Sequence, residues 1–288
     1  MIVIAEKYGQ LGNRLFVFAH FVACALEHGL KVSNPAFDEY AEFFETTRRD
    51  LFCRHPARAS LLKGRRPRRW LYALANRVAN SLAYRSPRGR FWQVIRIEEG
   101  ESYDLAAPEF IAAARGKRLV FVQGWLFRDE PRLRKHAAAL REFFAPARHV
   151  AERVGAHVRR AREGCDVLVG VHVRQGDYRG FEGGRYFYES GEYARLMRAA
   201  ERLFPGRRVG FLVCSNERQD EGVFAGLRHA PGPGHFVDDM YALAACDYII
   251  GPPSTYTLWA SFYGGAPLYQ VREVSAAVSA EDFKPCGA

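Results

Sequence analysis

Arg174 and Asp177 stand three residues apart at the end of VLVGVHVRQGDY (Val167 to Tyr178), where an apolar run gives way to a histidine, an arginine and an aspartate. A guanidinium grips two oxygens of a phosphate at once and stays charged at any working pH, which suits a site holding a leaving diphosphate. The same residues also make a strand-end ion pair, Arg174 with Asp177, above a His172 satisfied in the core. Polar groups recur in comparable places further on. Ser215 and Asn216 follow the apolar run 209–214, Asp238 and Asp239 open a helical pattern, and Ser254, Thr255 and Tyr256 follow Pro252-Pro253. Hydroxyls at a helix start cap it, and together with the exposed N–H groups they bind phosphate. Asp238-Asp239 reads as an N-cap or as an acceptor for the donor edge of a guanine. Two adjacent carboxylates without further hard ligands make a poor Mg²⁺ site, so no metal is expected. Near the N-terminus, Gly9-Gln10-Leu11-Gly12-Asn13 matches neither the dinucleotide nor the P-loop pattern. Asn13, at the mouth of the next helix, offers donor and acceptor to a sugar hydroxyl or phosphate.

The elements that must carry these residues follow from periodicity. Ile2 to Ala5 reads as a strand, and a helix from about Arg14 to His28 carries the stripe Leu15, Phe18, Ala19, Val22, Ala23 and Leu26. Leu119 to Val122 is a strand, and helices are expected over 131–144 and 147–162, with Pro146 as the seam between them. The second half alternates: strand 167–173, helix 190–204, strand 209–214, a short helix over 222–227, a helix from Asp238 to Cys246, strand 248–251, helix 254–262 and strand 267–271. Strands separated by helices predict an α/β protein with a parallel, doubly wound sheet. In such a sheet the polar groups after each strand open to one edge and can converge on one ligand.

The chain has 288 residues, 48% hydrophobic and 26% charged, as expected of a globular protein with one large or two smaller domains. MIVIAEKYG enters a strand at once, and six scattered cysteines show no CxxC, so the expected compartment is the cytoplasm with reduced thiols. The formal charge of +10 is concentrated: residues 51–97 hold twelve Arg and Lys and no Asp or Glu, and the rest of the chain is slightly acidic. Within that segment Trp70, Leu71, Leu74, Val78 and Leu82 recur at helical spacing beside Arg65, Arg66, Arg68, Arg69, Arg77 and Arg85. A basic amphipathic helix of this kind is a solvated helix packed on its domain, an interfacial helix on anionic lipid, or a nucleic-acid patch. No nucleic-acid-binding module accompanies it, so no nucleic acid is expected as partner.

Five motifs, in order, resemble those of the GDP-fucose-dependent fucosyltransferases, most closely the α1,2-fucosyltransferase group (glycosyltransferase family 11). GQLGNR (9–14) resembles GGLGNQ, residues 124–146 the GYxQSxxYF stretch, and HVRQGDY (172–178) the motif HxRRGDY. CSN (214–216) with the 238–246 helix resembles FSDD and DxxLMSxC, and STYTLW (254–259) resembles STFSxW. The resemblance implies a GT-B architecture of two Rossmann-like domains facing across a cleft. Residues 1–146 would be the acceptor side, including the basic segment 51–97, and residues 147–288 the GDP-fucose side. It implies inverting, metal-independent transfer of L-fucose from GDP-fucose, with no cofactor, to a glycan hydroxyl, as an α1,2 linkage in bacterial surface polysaccharide or lipopolysaccharide synthesis. Arg174 would hold the diphosphate, Ser254, Thr255 and Tyr256 the β-phosphate, and Asp239 the guanine. Asn13 would face the diphosphate and sugar from the opposite domain. Ser215 and Asn216 stand in the donor site and His172 supports it from beneath. Asp177 and Glu182 are the candidate bases by position. Gln175 stands where the group commonly has a second arginine, which Arg14 or Arg179 would replace. Residues 63–90 would hold the protein peripherally at the inner face of the cytoplasmic membrane, close to a lipid-linked acceptor. Two other classes stay open: a GT-B transferase using another nucleotide sugar, and a non-catalytic nucleotide- or glycan-binding relative.

Overall fold

A computed structural model describes residues 1–286 and divides the chain into two compact units that meet at Ala147 and Arg148. The first unit contains β1 (Ile2–Ile4), α1 (Leu11–His28), β2 (Val32–Ser33), α2 (Glu45–Arg48), β3 (Arg54–His55), α3 (Arg65–Arg85) and β4 (Trp92–Arg96). It continues with β5 (Tyr103–Asp104), α4 (Pro108–Gly116), β6 (Leu119–Gln123), β7 (Phe127–Arg128), α5 (Glu130–Lys135) and α6 (Ala137–Phe143). The second contains α7 (Arg148–Arg162), β8 (Val167–Val173), α8 (Ser190–Glu201), β9 (Val209–Ser215), β10 (His229–Pro231), α9 (Phe236–Ala244), β11 (Tyr248–Gly251), α10 (Thr255–Gly264) and β12 (Leu268–Gln270).

The first unit is built on a five-stranded sheet in the order β3-β2-β1-β6-β4, parallel except for the antiparallel edge strand β3. Helix α1 starts at Leu11, one turn earlier than the sequence pattern predicts, because Gly9 alone, at φ +58°, makes the turn after β1. Most of α1 is buried, with Phe18 packed edge-on against Phe37, Phe143 and Phe144 at 5.3–5.5 Å. Gly29 in the left-handed conformation ends it as expected. The helix predicted over 131–144 is two, α5 and α6, broken at His136.

The second unit has the order β10-β9-β8-β11-β12, every pair parallel. Strand β8 is wholly buried, as its uninterrupted apolar run requires of a central strand covered on both faces. One face packs on α8 through Tyr193, Leu196 and Met197, in a core that takes in Val169, Val171, Phe211 and Ile250. On the α9 side, a Cβ on Gly170 would meet Leu243 Cδ2 at 2.8 Å, so glycine allows the helix this close to the strand. Strand β10, which its composition does not predict, pairs at the sheet's edge. Cys24, Cys214 and Cys246 are buried free thiols in the core.

Candidate functional site

The chain leaves β8 for β9 and β10 on one side and returns to β11 and β12 on the other, so the carboxyl ends of β8 and β11 part at a topological switch point. Open parallel sheets bind ligands in the crevice that forms there. Arg174 follows β8 directly, and Ser254 to Tyr256 open α10 after β11. His172, 4% exposed, lies under the crevice with its ring 4.7 Å from that of Tyr256. Burial, with Arg174 nearby, pushes this imidazole down to about 3, so it is neutral and packs rather than titrates. A Cβ on Gly251 would sit 2.8 Å from Thr257 Cγ2 and 3.1 Å from His172 Cβ, so glycine is needed for β11 to close onto this floor.

Hydrogen bonds tie the loops around the crevice. The Tyr178 hydroxyl donates to the Pro253 carbonyl at 2.9 Å, and the Tyr256 hydroxyl to that of Phe236 at 2.6 Å. The Ser254 hydroxyl accepts from Tyr256 N–H at 3.0 Å, a regular N-cap. Arg174 forms a two-point ion pair with Asp177, Nε to Oδ1 at 3.1 Å and Nη2 to Oδ2 at 2.6 Å, and lies over the Tyr178 ring at 5.1 Å. Asp177 therefore orients Arg174 in this structure, the ion-pair reading of the sequence. Arg174 is also the better shielded partner, its side chain 15% exposed against 49%.

Asn216 and Gln175 are bonded to the protein itself, Asn216 from an exposed position and Gln175 from a buried one. Asn216 Oδ1 accepts the Gln175 N–H at 2.9 Å, and its Nδ2 lies where a Cβ on Gly176 would be, at 2.7 Å, so it braces the loop after β8. Gln175, 6% exposed, donates to the Tyr188 carbonyl at 3.2 Å and accepts from Gln219 at 3.0 Å. Gln219 also donates to Ser215 Oγ at 3.0 Å and accepts from Ser190 Oγ at 2.6 Å. A neutral glutamine fits here because this position closes a network of neutral groups. Sequence reasoning missed Gln219, since a polar residue in a loop carries no periodic or motif signal. Arg14, a candidate with Arg179 for the missing cation, pairs with Glu39 at 2.7 Å and donates to the Gly9 and Ala36 carbonyls within its own unit.

Beside the crevice a cavity of about 230 Å³ is lined by Ser215, Gln219, His229, Gly232, Gly234 and Asp239, among others. Its Ser215 is in register with Val173, the residue before Arg174, across β8 and β9. Of the two adjacent aspartates, Asp238 is taken by Arg153 of α7 at 2.8 and 3.0 Å. Asp239 faces the cavity. Its Oδ1 accepts the Gly234 N–H at 2.8 Å. Burial raises its carboxyl to about 6, against the pull of that hydrogen bond, and the neighbouring Asp238 adds to the rise. A Cβ on Gly232 would stand 2.6 Å from Cys214 Sγ and 3.0 Å from Asp239 Oδ1, so glycine keeps this wall open.

Asn13 lies in the first turn of α1 rather than ahead of the helix, with its amide folded back where a Cβ on Gly9 would stand. That turn follows β1, and β1 and β6 are the switch point of the first sheet. At this edge the rings of Tyr8 and Trp125 stack at 5.5 Å and 11°, and the Tyr8 hydroxyl donates to Glu99 at 3.1 Å. A flat aromatic pair with a carboxylate at its rim suits the apolar face and hydroxyls of a sugar. Neither ring stands out in the sequence, because Tyr8 and Trp125 are 117 residues apart and only the sheet brings them together.

No protein-family model matches the chain, and no curated protein matches it. Among solved structures the chain is similar to a variant of Arabidopsis thaliana FUT1 in complex with GDP, at 13% identity over 94% of this chain and 70% of that one, with a TM-score of 0.57. It is similar to the fucosyltransferase NodZ from Bradyrhizobium, at 16% identity over 94% of each chain and a TM-score of 0.55. It is also similar to POFUT1 in complex with GDP-fucose, at 8% identity over 92% of this chain and 94% of that one, with a TM-score of 0.56. At such identities the likeness is one of fold, and the fold, with a Rossmann-like sheet in each unit, is of the GT-B type.

Proposed function

We propose that the protein transfers L-fucose from GDP-fucose to a hydroxyl of a glycan acceptor, with inversion at the anomeric carbon and without a metal ion. The proposed product is α1,2-linked, in the assembly of a bacterial surface polysaccharide or lipopolysaccharide. The observation that carries the reading is the carboxyl edge of the second sheet. There an oriented arginine and a helix N-terminus flank a switch point, and a buried carboxylate lines the adjoining cavity. Solved fucosyltransferases of the same fold, in complexes with GDP or GDP-fucose, support the choice of donor.

In this reading the bond between the anomeric carbon and the β-phosphate oxygen breaks, and its electron pair goes to the departing GDP. Arg174 and the N-terminal turn of α10 stabilise the charge that develops. Removing one preorganised donor of this kind costs roughly a hundred- to a thousand-fold in rate. Asp177 holds the guanidinium plane toward the diphosphate and is a positioning residue. Asp239 accepts from the guanine N–H groups, and Ser215 stands beside the nucleotide. The acceptor hydroxyl attacks the opposite face of the sugar and loses its proton, and no residue is assigned as its base.

Calorimetric titration of GDP, GDP-fucose, GDP-mannose and UDP-glucose, with chelator present, tests the assignment on the natural protein and on Arg174→Ala. Guanine-selective binding, weakened at least ~tenfold in the variant, is expected from the loss of a charge-assisted pair. Equal binding of UDP-glucose would transfer the reading to another nucleotide sugar. Donor binding without transfer or slow hydrolysis would leave a non-catalytic relative.

A further inference from the structure

Helix α3 turns Trp70, Leu74 and Val78 away from the protein. It packs on the first unit through Ala75 and Ala79, which meet Val3, Ala5, Val94 and Phe121. On the opposite face Trp70, Leu74 and Val78, spaced four residues apart, are exposed, Trp70 at 68%. This differs from the sequence reading, which takes Trp70 to Leu82 as one stripe. Only its Leu71 and Leu82 flank is partly buried. Leu61 and Leu62, just before the helix, are exposed as well. Of the eleven exposed large hydrophobic residues among those described, eight fall between Phe52 and Phe91. They coincide with the segment that has no acidic residue.

The charges divide by role. Arg68 is buried and donates to the Thr47 and Arg48 carbonyls at 3.1 and 2.8 Å, and Arg65 pairs with Glu42 at 3.3 Å, so these two anchor the helix. Arg66, Arg69, Arg77 and Arg85 are exposed and have no ion-pair partner among the described residues. Arg66, Arg69 and Arg77 fall on the face of Trp70 and Leu74 or at its border.

We infer that this face of α3, with Leu61 and Leu62, docks on a bilayer containing anionic phospholipid. An apolar stripe bordered by unpaired guanidinium groups matches the acyl boundary below and the phosphates above it. A nucleic acid would use the charges and leave Leu74 and Val78 in water. No helix among the described residues is long and apolar enough to cross a membrane, so the contact is peripheral. The buried side of α3 reaches the ligand edge of the first sheet, where Asn76 donates to the Ala5 carbonyl at 2.8 Å and Lys7 lies over the Tyr72 ring at 4.4 Å.

Vesicle flotation of the full chain tests this independently of any donor chemistry. The protein should float with mixed phosphatidylglycerol–phosphatidylcholine vesicles at low salt, and far less with pure phosphatidylcholine or at high salt. The triple substitutions Trp70→Ser/Leu74→Ser/Val78→Ser and Arg66→Ser/Arg69→Ser/Arg77→Ser should each lower the bound fraction at least ~tenfold. Both alter exposed side chains only, and an unchanged thermal melt checks that they fold. Absence of flotation with the mixed vesicles overturns the inference. So does an apolar variant that binds like the natural protein, which would mean a polyanion site. A dimer in sedimentation that the apolar variant dissolves, with no flotation, would assign the face to a second copy of the chain.

Discussion

The burial of Asp239, proposed above to accept from guanine, bears on stability. Its carboxyl, raised to about 6 by burial from an ordinary 3.8, is easier to protonate folded than unfolded. The folded state therefore gains from the neutral form below pH 3.8, loses that gain as pH rises through 6, and bears the full penalty above it. A shift of this size corresponds to about 3 kcal/mol, as an order of magnitude. Asp239→Asn keeps an acceptor for Gly234 N–H and removes the charge. It should raise the thermal midpoint at pH 7.5, leave it nearly unchanged at pH 4, and abolish guanine-nucleotide binding. In the natural protein the affinity for GDP should fall as pH drops below about 6, since a neutral carboxyl no longer offers a charged acceptor to the guanine N–H groups. Thermal scans and titrations across pH check both. His172, held neutral by burial, should contribute nothing to that pH dependence.

At the scale of elements, the site depends on how closely α9 and α10 pack, because their N-termini carry Asp239 and Ser254 to Tyr256. Gly264, the last residue of α10, permits that approach. A Cβ there would be driven into the Ala244 carbonyl at the end of α9, a backbone group that cannot swing aside. Gly264→Ala should destabilise the protein by about 1–3 kcal/mol or more and weaken GDP binding with it. Gly191, in the first turn of α8, faces open space: a Cβ there would meet no atom within 4 Å. Gly191→Ala should stabilise by roughly 0.5–1 kcal/mol with no effect on the ligand. Denaturant titration of the pair separates close packing from helix propensity. The hydroxyl of Ser254 caps α10, the capping reading of that serine.

For the molecule as a whole, each unit has its own sheet and hydrophobic core. The groups proposed to hold the nucleotide all belong to the second. The chain from Arg148 onward, expressed alone, should fold cooperatively and bind GDP, with circular dichroism melts and calorimetry as the check. An unfolded fragment, or one that binds no GDP when the full chain does, would show that the first unit completes the donor site. The basic charge lies on the first unit, in and around α3, so salt should alter its surface contacts more than donor binding by the second.

Much of this architecture is legible in the order of the residues. Apolar runs bounded by polar strand ends determine β8, β9 and β11, and their alternation with helices determines a parallel sheet whose ligands gather at one edge. Arg174, Asp239 and Ser254 are readable because the residue after a buried strand, or at the start of a helix, has its place set by local periodicity. What the local pattern does not contain is direction and partnership. Whether Asp238 or Asp239 faces the cavity depends on Arg153, 85 residues away, and whether Asn216 meets a ligand or the Gln175 N–H depends on the register of β8 with β9. The stripe of α3 is visible as a period, yet only tertiary packing decides that its alanines go inward and Trp70 outward, because helical spacing fixes which residues share a face and not which face the rest of the protein covers.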